Sequence, residues 1–170
     1  LNLYNFKSST FLSAMEDEFT IGYVDNLASF GIIEPSRASV ILTNKRLIIV
    51  YIDSTNSFFA SVMVENQFGV LAEGMVNRIS ADEIKKATRL ILERNLDDVI
   101  NADPRTIVLD VNDVQQVKID RRKITIITDK RKFHFKLANP DVKNKQSDTY
   151  DTYVDFLRTT LPNKVIAKNP

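Results

Sequence analysis

Residues Ala38 to Ile52, ASVILTNKRLIIVYI, constrain the fold more than any other stretch: two runs rich in Val, Ile and Leu are joined by the polar quartet Thr43-Asn44-Lys45-Arg46. β-Branched runs divided by a short polar break read as a β-hairpin. The near-continuous apolar content of both arms implies strands covered on both faces. The hairpin is therefore expected at the centre of the fold.

The rest of the composition sets bounds around it. A chain of 170 residues can bury a sound core and lies within the range of one domain. Apolar residues at 44% and charged residues at 26% are ordinary for a globular protein. Basic and acidic groups nearly cancel, 23 against 22, so electrostatic binding must be local. Without cysteine there are no disulfides, thiolate nucleophiles or cysteine-ligated metal sites, which suits a reducing compartment. The longest uninterrupted apolar run, Leu47 to Ile52, is far below the ~20 residues of a membrane-spanning helix. The chain begins at Leu1 with no signal-peptide pattern, and a cytoplasmic location, or a membrane-peripheral one, is expected.

Glu18 to Ser29 carries alternating Phe19, Ile21 and Tyr23 and is read as a strand. After the hairpin, Phe58 to Val76 is apolar but fits neither period cleanly; a helix interrupted by Gly69 and Gly74 is its working reading. Ser80-Ala81-Asp82-Glu83 is a capping box, so a helix starts at Ala81, with Ile84, Ala87, Thr88 and Ile91 on its apolar face. A second short helical turn holds Leu96, Val99 and Ile100 and stops at Asp103-Pro104.

Beyond Pro104 the period drops to two. Ile107, Leu109 and Val111 alternate with polar or outward positions, and Val117 and Ile119 continue after a bulge or bend. Ile124 to Thr128 is the next strand, Asp129-Lys130-Arg131 a turn, and Phe133, Phe135 and Leu137 alternate with Lys132, His134 and Lys136. Asn139 to Asp148 reads as a loop. Tyr150, Tyr153, Val154, Leu157 and Leu161 then fall on one face of a last helix that ends at Pro162.

Three segments carry a resemblance: Leu42-Thr43-Asn44-Lys45-Arg46-Leu47, the strand Ile107 to Val117, and the terminal Val154-Asp155-Phe156-Leu157. With the order of elements around them they look like a pleckstrin-homology-like (PH-like) fold of the GRAM or bacterial PH-like type. The resemblance implies an α+β, mainly β architecture: a single PH-like domain over 1–170, an antiparallel β-barrel or sandwich capped by a C-terminal amphipathic helix. A helical insertion over about 54–104 departs from compact members and resembles a prokaryotic subset, notably in Leu96-Asp97-Asp98-Val99-Ile100-Asn101-Ala102-Asp103. Relatives that bind phosphoinositides use basic residues in the loop between the first two strands. Here Asp25 to Arg37 holds Arg37 as its single basic residue, which removes the support for that ligand.

Chemistry is sparse. His134 is the only histidine and sits between Phe133 and Phe135 on an outward position, where an exposed structural role is the plain reading. One His and no Cys leave no Cys-His pair and no multi-histidine metal site within one chain. The four glycines form no phosphate-binding loop or dinucleotide fingerprint. Glu16-Asp17-Glu18 and Asp97-Asp98 are read as solvated charge, and no metal or cofactor is expected.

Two surface features remain. Arg121-Arg122-Lys123 and Lys130-Arg131-Lys132, the second extended by Lys136, could form an anion-binding surface; solvated turns that discourage edge pairing are the preferred reading. Phe58, Phe59, Val62, Met63, Phe68 and Met75 are candidates for self-association or partner binding, against burial beneath the capped helix. The expected function is a non-enzymatic PH/GRAM-like binding module acting on a protein partner, on itself or on a membrane surface. The alternatives are a small regulatory protein that contacts nucleic acid or another anionic ligand through the basic hairpin ends, with nucleic acid disfavoured as a partner, and a hydrolase undetected by motif.

Overall fold

The computed structural model describes residues 17–29, 36–52, 80–144 and 148–168. Its strands are β1 (Thr20–Ser29), β2 (Arg37–Thr43), β3 (Arg46–Tyr51), β4 (Ile107–Asp110), β5 (Val114–Ile119), β6 (Lys123–Thr128), β7 (Lys132–Leu137) and β8 (Val165–Ala167). The helices are α1 (Ala81–Leu92), α2 (Leu96–Ala102), α3 (Pro140–Lys143) and α4 (Thr149–Thr160). The protein is α+β and mainly β: one eight-stranded, unclosed sheet in the order β4-β3-β2-β1-β7-β6-β5-β8.

The predicted hairpin is β2–β3, and each residue of its polar quartet has a local role. The Thr43 hydroxyl accepts from the Lys45 and Arg46 amides at 3.1 and 2.8 Å, which closes the turn. Asn44 reaches back to the start of β1: its side chain accepts from the Phe19 amide at 3.0 Å, and its own amide donates to the Phe19 carbonyl at 3.2 Å. The Lys45 carbonyl accepts from Val111 at 2.9 Å, holding the end of β4.

Arg46 forms a two-pronged ion pair with Glu18, Nε to Oε1 at 2.9 Å and Nη2 to Oε2 at 2.6 Å, and Thr43 donates to the same carboxylate at 2.6 Å. Glu18 is thus partly buried and paired, where solvated charge was expected. Asp97, at 3.5 Å from Arg46, is the more exposed partner.

Both faces of the hairpin are covered, for different reasons. Val40, Leu42, Leu47 and Ile49 face the main core, together with Val117 and Ile119 of β5 and Ile124 and Ile126 of β6. Ile41, Ile48 and Val50 point the other way and meet Ile91 of α1 and Val99 of α2. A buried hydrogen bond from Ser39 to Thr88, 2.9 Å, crosses the same interface. The capping box appears as predicted: Ser80 Oγ accepts from the Glu83 amide at 3.2 Å, and Glu83 accepts from the Ser80 amide at 2.7 Å.

Three expectations change. The side of β1 that faces the core is Gly22 and Val24, then Leu27 after a register shift at Asp25-Asn26, with Asn26 in the left-handed region at φ 52°. Phe19 is accordingly 58% exposed. The bend between Leu109 and Val117 is a turn that carries the chain from β4, paired with β3, to β5, paired with β6. The segment after Asn139 contains α3, because the Asn139 side chain accepts from the Asp141 amide at 3.0 Å and Pro140 occupies the first helical turn.

The last helix buries Tyr150, Tyr153, Val154 and Leu157, as its spacing predicts, and Leu161 follows them into the core. The chain then continues into β8, which pairs parallel with β5 and makes the sheet mixed. A parallel, three-residue strand carries almost no local signal.

Candidate functional site: the open sheet face

Helices α1 and α2 cover the outer face over β1, β2 and β3, and among the described residues no element covers the outer face of β5, β6 and β7. Strand pairing decides which side chains meet there. Lys123 of β6 lies opposite Lys136 of β7, Thr125 opposite His134, and Ile127 opposite Lys132. On the other flank, Lys118 of β5 pairs with Thr125 and Gln116 with Ile127, while Ile166 of β8 lies beside Lys118. The exposed side chains are therefore dominated by Lys118, Lys123, Lys132, His134 and Lys136, with no carboxylate in the lattice.

The arrangement differs from the grouping along the chain. Lys136 follows the second basic group in sequence, yet its register places it beside Lys123, a member of the first. Lys118 and His134 belong to the same face; the even alternation Lys132, His134, Lys136 signalled an outward row, but only cross-strand register reveals that the rows meet.

The two turns are built by side chains other than the cations they carry. The Asp120 carboxylate accepts from the Arg122 and Lys123 amides at 2.7 and 3.0 Å. Thr128 and Arg131 close the β6–β7 turn through main-chain and hydroxyl bonds of 2.9 to 3.1 Å. Arg122 and Lys130 are exposed there, and so is the Arg131 side chain.

Arg121 is already engaged. Its guanidinium donates to the Val142 carbonyl at 2.9 Å and lies 4.9 Å from the centre of the Tyr150 ring, so it fastens the β5–β6 turn to α3 and α4. Burial pushes the Tyr150 phenol above its ordinary range, and that hydroxyl donates to the Ile119 carbonyl at 3.3 Å. Both groups serve the scaffold.

No ion pair joins Lys118, Lys123, Lys132 or Lys136 to a carboxylate among the described residues. His134 Nδ1 lies 3.1 Å from Thr125 Oγ1, a hydrogen bond that holds its ring on the face. Among the described residues no group of three His, Asp or Glu could hold a metal ion, and no helix is long and apolar enough to cross a membrane. Phe58, Phe59, Val62, Met63, Phe68 and Met75 lie outside the described residues. Compared with known proteins, the chain matches no family model, no curated protein and no solved structure.

Proposed function

We propose that the protein is a non-enzymatic binding module of PH-like architecture that works by contact with another protein. The observation that carries this reading is the unequal cover of one sheet among the described residues: helices over the outer face of β1–β3, and an open basic face over β5–β7. The meander β1 to β4, the return through β5 to β7 onto β1, and the helix packed against the core support the PH-like half of the reading. The buried bonds of Ser39 with Thr88 and of Asn139 with Asp25 and Tyr153 hold elements together, which supports a scaffold that presents a surface.

Native co-purification of the full chain followed by light scattering tests the proposal. A reproducible complex of fixed stoichiometry is expected. A chain that stays alone and monomeric at all salt concentrations, or that turns over a hydrolase substrate, would overturn it.

A further inference from the structure

We infer that the outer face of β5–β6–β7 docks an extended acidic segment of a partner protein, a reading that rests on the binding-module proposal and gives it a surface and a ligand chemistry. A solvated sheet face ordinarily intersperses charges of both signs, because like charges directly opposite each other destabilise the pair. Here Lys123 faces Lys136 across the β6–β7 ladder, and Lys118 and Lys132 add to the same sign. None of these ammonium groups has a carboxylate partner among the described residues, so those residues leave the repulsion uncompensated.

Geometry selects among anions. Lys132, His134 and Lys136 recur at every second residue of one strand, steps of about 7 Å along a straight row. An extended polypeptide with carboxylates on alternate residues presents charges at the same step. The face carries no Trp, Tyr, Phe or Arg on its outward positions. His134 is the single ring on these outward positions, short of the series of stacking groups that holds single-stranded nucleic acid, and the Trp and Tyr that seat a protein in a bilayer interface are missing from them.

The test uses the full chain and three probes: a synthetic peptide alternating Glu and Ser, a single-stranded oligonucleotide, and vesicles of mixed phosphatidylcholine and phosphatidylserine. The peptide should bind, weaken as salt rises, and bind about tenfold more weakly to Lys123→Glu and to Lys136→Glu. Each single reversal creates a cross-strand Glu-Lys pair, so folding is kept, and circular dichroism checks it. Lys130→Glu, in the turn, should change binding much less. No peptide binding, binding indifferent to Lys123→Glu and Lys136→Glu, or binding of the oligonucleotide or vesicles through these lysines in preference to the peptide would each overturn the inference. A co-purified partner whose association ignores the two reversals would leave the binding-module reading standing and remove this surface from it.

Discussion

The Tyr153 phenol donates a hydrogen bond to the buried Asp25 carboxylate, and the Asn139 amide donates to both, at 3.2 Å to Asp25 Oδ1 and 2.9 Å to the phenol oxygen. These residues come from β1, α4 and the N-cap of α3, so one polar cluster ties β1 to two elements that lie more than a hundred residues further along the chain. Burial, and then the Asp25 charge, push the phenol well above its ordinary range, which keeps it a donor. Tyr153→Phe preserves the ring and removes the bond. Urea denaturation should show a loss of about 1–3 kcal/mol with the slope unchanged. A loss within about 0.5 kcal/mol, the range of ordinary surface changes, would contradict the assignment.

The ion pair of Glu18 and Arg46 makes stability depend on acid. The Arg46 hydrogen bond holds the Glu18 carboxyl below its ordinary 4.5. A carboxyl depressed in the folded state stabilises fully above the unfolded value, and this contribution disappears as pH falls below 4.5 through the folded value. Glu18→Gln should cost about 1–2 kcal/mol near neutral pH. Its stability curve should converge on that of the parent protein in acid; parallel curves down to the lowest pH would count against the pair.

Gly22 is required by the approach of α4. A Cβ added there would run into the ring of Phe156, so Gly22→Ala forces the helix or the ring to move. Overpacking of this kind costs about 1–3 kcal/mol. The same change in a Phe156→Ala background should cost clearly less, and a double-mutant cycle by chemical denaturation measures the difference. Equal costs in both backgrounds would show that the ring is not the obstacle.

The capping box at Ser80 holds the first turn of the helix that covers the hairpin. Ser80→Ala should lower stability by about 0.5–2 kcal/mol, and Ser80→Asp, which retains an acceptor, should recover most of it. Equal stability of the two variants in thermal or urea melts would argue against the cap.

What was legible in the sequence had local causes. Thr43 to Arg46 announced a turn because its side chains bond to their own neighbours, and Ser80 with Glu83 announced a helix for the same reason. The spacing of Tyr150, Tyr153, Val154 and Leu157 sufficed for α4. Asn44 of the same turn adds a tie to Phe19.

What was not legible depended on distant partners. The core side of β1 could not be read from Phe19, Ile21 and Tyr23, because Gly22 is placed for Phe156 and the shift at Asp25-Asn26 aims Asp25 at Tyr153. β8 exists only through pairing with β5. The basic face was hidden similarly: thirteen positions along the chain separate Lys123 from Lys136, and only the β6–β7 register sets them side by side.

The central claim is that this face, rather than another part of the surface, meets the ligand. Titrating the isotopically labelled full chain with the alternating Glu-Ser peptide and following backbone amide shifts by NMR tests it most directly. Shifts should concentrate at Lys118, Lys123, Lys132, His134 and Lys136 and saturate together. Shifts that gather on α1 and α2 or at the β2–β3 turn while these five residues stay still would contradict the account.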